Sequence, residues 1–169
     1  MLRATAHGAV NPRIHGRVAS LRPATVADVD LLVGWHADPE VSRYWDDETF
    51  THAEMEERLA RPTVEAYVVE AAGAPVGYLQ VHDDDRDGDG GLDMFLVPEA
   101  RGRGLGPDAA RAMTRHLLDE RGWTRVTVDP YCWNEGAVHA WERAGFVRLS
   151  KHEPDDEHTA RWTLMEFRG

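Results

Sequence analysis

The chain has 169 residues, enough for one domain with a single hydrophobic core, and 42% of its residues are hydrophobic and 29% charged. Its formal net charge of −11 argues against nucleic acid as a partner, because proteins that bind nucleic acids need basic patches. No apolar run approaches the roughly 20 residues that a membrane-spanning helix requires. A single cysteine, Cys132, excludes an internal disulfide and fits a reducing compartment, so we expect a cytoplasmic protein.

The first part of the chain is predicted to hold a strand followed by helices. Residues 1–17 carry scattered Arg and His without an apolar stretch, and we expect a flexible N-terminal arm ahead of a single domain at residues 18–169. A short strand at residues 18–22 opens that domain. Three helix starts follow, each with a capping residue or with proline at the first helical position: Thr25 with Asp28, Asp38-Pro39, and Thr51 with Glu54.

The rest of the chain is predicted to alternate strands with two helices. The strand at residues 92–97 is apolar on both faces, which indicates a central position in a sheet. The other elements are a hairpin at 64–71 and 75–81, an acidic loop at 83–90, a helix after Gly106 with a stripe of Ala109, Met113 and Leu117, a strand at 125–128, a helix from Asn134 to Gly145, and a hairpin at 146–150 and 159–167. The order β-α-α-β-β-β-α-β-α-β-β predicts an α/β domain whose mixed central sheet is flanked by helices.

The strongest local signal is the run Arg101-Gly102-Arg103-Gly104-Leu105-Gly106, which lies between the central strand and a helix. Glycines permit positive φ and let a ligand approach the backbone closely, and the free N–H groups of a helix start favour an anion. The two arginines add positive charge. This pattern predicts a diphosphate-binding turn, and a tight turn without a ligand is the alternative.

Two motifs resemble the GCN5-related N-acetyltransferase (GNAT) superfamily. Arg101-x-x-Gly104-x-Gly106 resembles its acetyl-CoA pyrophosphate loop, and Asn134-x-x-Ala137-x-x-x-Trp141-x-x-x-Gly145-Phe146 resembles its Asn-x-x-Ala-x-x-x-Tyr-x-x-x-Gly-Phe segment. In the family, that Asn meets the pantetheine arm and that Tyr often protonates the leaving thiolate. Trp141 replaces the Tyr in this chain, and an indole N–H is no practical acid. The alternative for Trp141 is a core aromatic on the inward face of the helix.

The resemblance implies the GNAT fold and acetyl-CoA as cosubstrate. The implied cofactor-binding residues lie on the central strand, in the glycine-rich turn and on the last helix: Phe95, Val97, Arg101, Arg103, Gly104, Leu105, Gly106, Asp108, Asn134, Ala137 and Trp141. No metal is expected. The run Asp83-x-Asp85-x-Asp87-Gly88 is similar to the start of a calcium-binding loop, but the twelfth position is Met94 rather than Glu.

Further motifs resemble the aminoglycoside 6′-N-acetyltransferases, an antibiotic-resistance group, over roughly residues 18–167. They are Gly91-Leu92-Asp93 on the central strand, Asp129-Pro130 after the next strand, Arg43-Tyr44-Trp45 and Pro154-Asp155. The resemblance implies a polycationic amine as acceptor and Asp93 as the catalytic residue. The expected substrate-binding residues are Tyr44, Trp45, Asp83, Asp89, Asp93, Asp129 and Asp155.

The residue types around Asp93 support that role without the family. An amine at neutral pH is mostly ammonium, and it cannot attack a thioester until a group holds it and takes a proton. Aspartate is depleted in strand interiors, and Asp93 shares a strand face with Phe95 and Val97. We expect desolvation to raise the pKa of Asp93, while a bound ammonium would act against that rise. An Asp bonded to backbone at a strand bulge is the alternative.

Acidic side chains crowd the predicted loop at residues 83–90 and recur at residues 46–48 and 153–157. Such a field would raise both the rate and the affinity with which a di- to pentacationic aminosugar binds. A solvated loop without a partner is the alternative. Asp129-Pro130 is likewise open to interpretation as a turn that only ends a strand.

The sequence is compatible with several functions. The expected partner is a small cationic amine, most simply the 6′-amino group of an aminoglycoside, with direct transfer from acetyl-CoA and a monomeric or homodimeric enzyme. Acylation of a siderophore hydroxylysine is one rival, although those enzymes usually carry His where Asp93 stands. A protein N-terminal acetyltransferase is another, and a drug- or CoA-binding protein without turnover is a third.

Overall fold

The computed structural model describes residues 11–86 and 88–169, with the backbone alone at residues 85 and 86. In this part of the chain eight strands form one sheet in the order β1-β2-β3-β4-β5-β6-β8-β7, and all neighbours are antiparallel except the parallel pair β5 and β6. The strands are β1 Ile14–His15, β2 Ser20–Pro23, β3 Val64–Ala71, β4 Ala74–Arg86, β5 Asp89–Leu96, β6 Arg125–Val128, β7 Phe146–His152 and β8 Trp162–Phe167.

The helices lie where local capping signals place them. They are α1 Val29–Ala37, α2 Pro39–Ser42, α3 His52–Leu59, α4 Leu105–Arg115 and α5 Glu135–Ala144. Capping boxes form at Thr25 with Asp28 and at Thr51 with Glu54, and Asn134 and Gly145 cap the two ends of α5. A turn of 3-10 helix at Val26–Asp28 precedes α1, another at Pro98–Ala100 follows β5, and a π-helical turn at His116–Glu120 extends α4. The predicted mixed α/β sheet is confirmed.

The predicted flexible N-terminal arm, residues 1–17, extends too far along the chain, because its last residues belong to the sheet. Residues 14 and 15 pair with β2 as an added strand, and the guanidinium of Arg13 bonds the carboxylate of Glu70. The carboxylate of Asp108 on α4 then accepts backbone N–H groups from Arg17, Val18 and Ala19 at 2.9–3.0 Å. Residues 13–19 are therefore part of the folded domain, because these hydrogen bonds connect them to β2, β3 and α4. Residues 1–10 lie outside the described residues.

The predicted acidic loop is instead the tip of a long hairpin. Strand β4 continues to Arg86 and β5 begins at Asp89, and their ladder shows a shift in register between Asp83 and Arg86. The side chain of Trp123 packs against this hairpin. A Cβ built on Gly90 would lie only 2.8 Å from its indole ring. The packing and the continuing ladder make this segment extended. Asp87, part of the predicted acidic cluster, lies outside the described residues.

The sheet carries a hydrophobic core on each face. The larger core includes the predicted α4 stripe, Ala109, Met113 and Leu117, which is fully buried, and the smaller one packs α1 and α3 against Tyr78 and Phe95. Strand β5 lies centrally between β4 and β6, as predicted. Its ladder with β6 covers only residues 89–91, so the two strands are unpaired beyond Gly91. The opening that results exposes the rest of β5 to the N-terminal ends of α4 and α5.

Candidate active site

A cleft of about 330 Å³ lies where β5 leaves β6. We call it the turn cleft, because the glycine-rich turn forms one wall and the start of α5 the other. Its lining includes Met94, Phe95, Leu96, Arg101, Gly102, Gly104, Leu105, Gly106, Asn134, Gly136, Ala137 and Trp141. The cleft therefore brings together most residues of the predicted cofactor set.

The backbone of the turn is arranged to receive an anion. Gly102 and Gly104 have φ of +72° and +76°, values that side chains on L-residues rarely allow. Helix α4 begins at Leu105, and within the described residues the N–H groups of Gly104, Leu105 and Gly106 have no acceptor. A Cβ built on Gly104 would have no atom within 4 Å, so the space beside the turn is open. Free N–H groups, a helix dipole and open space together fit a diphosphate.

The two arginines of the turn have different surroundings from those we expected. The guanidinium of Arg101 donates to the carbonyl oxygen of Leu96 at 3.0 Å and to that of Glu40 at 2.7 Å, and it lies 5.2 Å from the ring centroid of Tyr44. Arg103 is exposed and does not line the cleft. Arg101 thus fixes the turn against α2 and β5, since its donors are directed at backbone carbonyls.

Helix α5 contributes one polar and one aromatic side chain to the cleft. The side-chain oxygen of Asn134 accepts the N–H of Ala137 at 3.1 Å, which closes the first turn of the helix. Trp141 is 7% exposed and packs edge-on against Phe146, with ring centroids 5.3 Å apart. Trp141 also lines the cleft. Trp141 is therefore a core aromatic, as the alternative expected, and it also forms part of the cleft wall, while its contact with a cofactor stays a prediction.

A larger cavity of about 610 Å³ opens beside the turn cleft, and we call it the acidic pocket. The two cavities share Tyr44, Met94, Asn134, Ala137 and Trp141. Seven carboxylate side chains line the acidic pocket: Asp46, Glu48, Asp83, Asp84, Asp93, Asp129 and Glu157. A ligand in the turn cleft and one in the acidic pocket would meet at the shared residues.

Asp93 lies in a network of side chains on neighbouring strands. Its Oδ2 accepts a hydrogen bond from the amide nitrogen of Gln80 at 2.9 Å and is in contact with Nε2 of His82. The guanidinium of Arg58 and the hydroxyl of Tyr78 donate to Oε1 of Gln80 at 3.0 and 3.1 Å, which fixes the amide orientation. The side chains of Asp93 and His82 are each 35% exposed, so both remain open to the pocket.

The pKa of Asp93 moves in the direction opposite to our expectation. Burial acts to raise it, as the sequence predicted, but the hydrogen bond and positive charge of His82, with the hydrogen bond of Gln80, outweigh burial and lower the pKa. Burial also acts to lower the pKa of His82, and the bond to Asp93 outweighs that effect and raises it. The pair is therefore stabilised as an imidazolium and a carboxylate. Asp93 is thereby held as an anion, which suits it to anchor a cation.

Asp129 and Asp155 are joined by His158, which comes from the loop between β7 and β8. Nε2 of His158 lies 2.8 Å from Oδ2 of Asp129, and its Nδ1 lies 2.8 Å from Oδ1 of Asp155. Burial and the charge of Asp93 raise the pKa of Asp129, against the effect of His158. Asp93 and Asp129 thus differ in environment, and Asp129 is the carboxylate of the two that holds a proton more readily.

Aromatic side chains form a bridge over the junction of the two cavities. Tyr44 and Tyr131 both stack on Trp133, each with ring centroids 5.8 Å apart, and the hydroxyl of Tyr131 donates to Asp46 at 2.5 Å. Trp45 is buried in the smaller core and lines the acidic pocket. The predicted Tyr44–Trp45 pair is therefore at the pocket, with one ring at its edge and one in its wall.

Comparison with known proteins decides the family. Residues 24–153 match the model of the acetyltransferase (GNAT) domain. The chain belongs to the GNAT acetyltransferase family. Aminoglycoside N(6′)-acetyltransferase type 1 of Klebsiella pneumoniae is 29% identical in an alignment 148 residues long, and the match covers 76% of this chain and 74% of that protein. Mycothiol acetyltransferase of Salinispora arenicola is 32% identical in an alignment 146 residues long, and the match covers 79% of this chain and 45% of that protein.

Solved structures of acetyltransferases share the fold. The aminoglycoside acetyltransferase AAC(6′)-Ib in complex with coenzyme A and kanamycin has a TM-score of 0.75 and 26% identity, over 88% of this chain and 93% of that one. Spermidine N-acetyltransferase from Vibrio cholerae, in complex with CoA and spermine, has a TM-score of 0.77 at 17% identity, over 88% and 94% of the two chains, and shows the fold alone. The expected GNAT fold and the resemblance to aminoglycoside 6′-N-acetyltransferases are confirmed.

Some predicted site residues of this acetyltransferase lie away from both cavities. Val97 and Arg103 do not line the turn cleft, and the carboxylate of Asp108 is used by the backbone of residues 17–19. Asp89 lies 3.7 Å from the guanidinium of Arg125, and Asp155 reaches the acidic pocket only through His158. The carboxylates of Asp89, Asp108 and Asp155 have partners within the fold, which a motif does not specify.

Other residues of the acetyltransferase site were missed from the sequence. They are Arg58, Gln80, His82, Trp133 and His158. The sequence held one signal, because Gln80 and His82 are two residues apart on β4 and therefore share a face. Only the β4–β5 register of the structure places that face beside Asp93. The described residues hold no group of three or more His, Cys, Asp or Glu side chains suited to a metal ion. Likewise, no described helix combines the length and apolar character needed to cross a membrane.

Proposed function

We propose that this acetyltransferase transfers an acetyl group from acetyl-CoA to an amine of a polycationic aminosugar, most simply the 6′-amino group of an aminoglycoside. The observation that carries the proposal is the acidic pocket, which is lined by seven carboxylates and adjoins the turn cleft. A cation with several ammonium groups would be attracted into such a lining. The identity to aminoglycoside N(6′)-acetyltransferase type 1, 29% over 148 residues, supports the same acceptor.

Acetyl-CoA fits the turn cleft by the chemistry of its walls. The free N–H groups of Gly104, Leu105 and Gly106 would hold the diphosphate, and the helix dipole of α4 would stabilise its charge. Asn134 and Ala137 border both cavities, so the pantetheine arm would pass between them toward the acidic pocket. When bound, acetyl-CoA supplies the thioester whose carbonyl carbon the amine attacks.

The acidic pocket then orients the amine. We assign Asp93 to hold the reacting ammonium and to serve as its base, directly or through water, with direct transfer and no acetyl-enzyme. Gln80 and His82 hold the carboxylate of Asp93 in place. Trp141 can donate a hydrogen bond but cannot supply a proton to the leaving thiolate, so that proton comes from the substrate or from water.

The test is a screen of amines for acetyl-CoA-dependent CoA release, beginning with kanamycin and including spermidine and a hydroxylysine. We expect kanamycin to be turned over with the highest kcat/KM. Asp93→Asn keeps the shape and removes the charge, and it should lower kcat/KM by about 10²–10⁴-fold while leaving acetyl-CoA binding intact. Nearly normal turnover of kanamycin by the Asp93→Asn protein would contradict the assignment of Asp93.

A further inference from the structure

His82 is a titratable side chain in the acidic pocket, and the proposed function uses it only to hold the carboxylate of Asp93. It lies on β4, and its imidazole is 35% exposed beside Asp93, which is exposed to the same extent. The contact to Asp93 uses Nε2, which also lies 3.1 Å from the amide nitrogen of Gln80, and no described residue hydrogen-bonds to its Nδ1. An imidazole held through one nitrogen by a carboxylate keeps the other nitrogen able to accept a proton.

We propose that His82 accepts the proton of the reacting amine and that Asp93 orients both the amine and the imidazole. The inference rests on the proposed function and divides the two roles assigned to Asp93 there. Histidine has an ordinary pKa near 6.5, against about 3.9 for aspartate, so it is the better base at neutral pH. The low pKa of Asp93 in this pocket widens that difference.

Charged groups from several elements act on the His82 imidazole. Asp93 on β5 and Asp129 at the end of β6 favour its protonated form, whereas Arg58 on α3 disfavours it. A substrate ammonium that binds Asp93 is a further nearby cation, and it would compete with the imidazolium for the same carboxylate. Binding of the amine therefore favours release of the His82 proton to solvent, which leaves a neutral imidazole beside the ammonium.

The proton balance of the reaction follows from this arrangement. The neutral imidazole of His82 takes one proton from the ammonium, and the amine lone pair becomes free. The C–N bond forms to the thioester carbonyl carbon and the C–S bond breaks, with its electron pair leaving on sulfur. The second proton of the nitrogen neutralises the thiolate to give CoA. His82 is then again the imidazolium, so the only proton lost to solvent is the one released when the amine bound. The amide product is neutral and one proton is released overall.

The experiment compares wild-type protein, His82→Gln and His139→Gln with kanamycin across pH 6 to 10. His139 is an exposed imidazole on α5 that lines neither cavity, so it controls for loss of a histidine. Glutamine can still donate a hydrogen bond to Asp93 but cannot carry the proton. We expect His82→Gln to lower kcat by about 10²–10⁴-fold at neutral pH, the usual effect of a positioned base, with the KM for acetyl-CoA unchanged. The kcat of the variant should then keep rising with pH as free amine increases.

Chemical rescue separates a catalytic role from a structural one. His82→Ala should regain kcat when imidazole is added, and His139→Gln should match the wild type throughout. An His82→Gln protein that binds acetyl-CoA normally and keeps the kcat and pH profile of the wild type would overturn the inference, and so would an inactive His82→Ala protein that imidazole does not rescue. A wild-type protein that binds acetyl-CoA and acetylates no amine would instead overturn the proposed function, and the inference with it.

Discussion

Nε2 of His158 lies 2.8 Å from Oδ2 of Asp129, and this contact joins the loop between β7 and β8 to the wall of the acidic pocket. The other ring nitrogen bonds Asp155, also at 2.8 Å. A neutral imidazole carries only one N–H, so two ionised carboxylate partners require the imidazolium. His158 thus acts as an internal cation between two carboxylates, and a substrate ammonium approaching Asp129 would meet it.

The His158 contacts should make stability depend on pH. Burial acts to lower the pKa of His158, but its bonds to Asp129 and Asp155 outweigh burial and raise it above the unfolded value. The stabilisation is therefore fully present below about pH 6.5, the ordinary pKa of histidine, and is lost as pH rises through the folded pKa. His158→Gln should lower the free energy of unfolding by about 1 kcal/mol at pH 5.5, because both carboxylates are partly exposed and screened, and by less at pH 9. Urea unfolding at the two pH values measures this, and an equal loss at both would contradict it.

Gly104→Val should raise the KM for acetyl-CoA steeply. Gly73 in the β3–β4 turn is a matched control, because its φ is +77° against +76° for Gly104 and a Cβ on either would have no atom within 4 Å. Both valine variants carry a similar backbone strain of about 1–2 kcal/mol, but only the valine at position 104 fills the space beside the glycine-rich turn. Calorimetric titration with acetyl-CoA should show weaker binding for Gly104→Val alone. Equal affinities in the two variants would exclude the turn as the diphosphate site.

Arg101→Lys should behave like Arg101→Ala. Lysine keeps the positive charge but cannot direct two donors at the carbonyls of Leu96 and Glu40, which Arg101 reaches at 3.0 and 2.7 Å. Each variant should lose about 2 kcal/mol of stability and raise the KM for acetyl-CoA several-fold through a loosened turn. Arg115→Lys, at an exposed position on α4, is the control and should change neither quantity. If Arg101→Lys retains the KM of the wild type, charge rather than geometry is what the turn needs.

The carboxylates of Asp83 and Asp84 should control how turnover of kanamycin depends on salt. Asp83 and Asp84 line the acidic pocket, and Asp83 is exposed, so its field is screened over a Debye length of about 8 Å at physiological ionic strength. Converting both residues to Asn should lower kcat/KM for kanamycin and flatten its decline with added salt. The double variant Asp119→Asn with Glu120→Gln removes the same charge at exposed positions that do not line the pocket, and it should keep the salt dependence of the wild type. If kcat/KM declines with salt equally in all three proteins, Asp83 and Asp84 are only solvated and do not attract the substrate.

Local sequence determined the elements whose stabilising contacts are close in the chain. The capping boxes at Thr25 and Thr51, the caps of α5 at Asn134 and Gly145, and the glycine turn before α4 are all found where the pattern predicts them. Each depends on a hydrogen bond or a dihedral angle within about four residues, so the sequence alone specifies it. The same holds for the order of strands and helices, apart from the added strand β1 and a third helix between β2 and β3, where the predicted order has two.

Tertiary structure decided which partner each site side chain would take. His82 meets Asp93 across the β4–β5 register, His158 reaches Asp129 over 29 residues, and Arg101 bonds Glu40 over 61 residues. These pairs reversed the expected direction of the pKa shift at Asp93 and changed the expected role of Arg101. The physical reason is that charge and hydrogen-bond effects act through space over a few ångströms, whereas a motif records only neighbours along the chain.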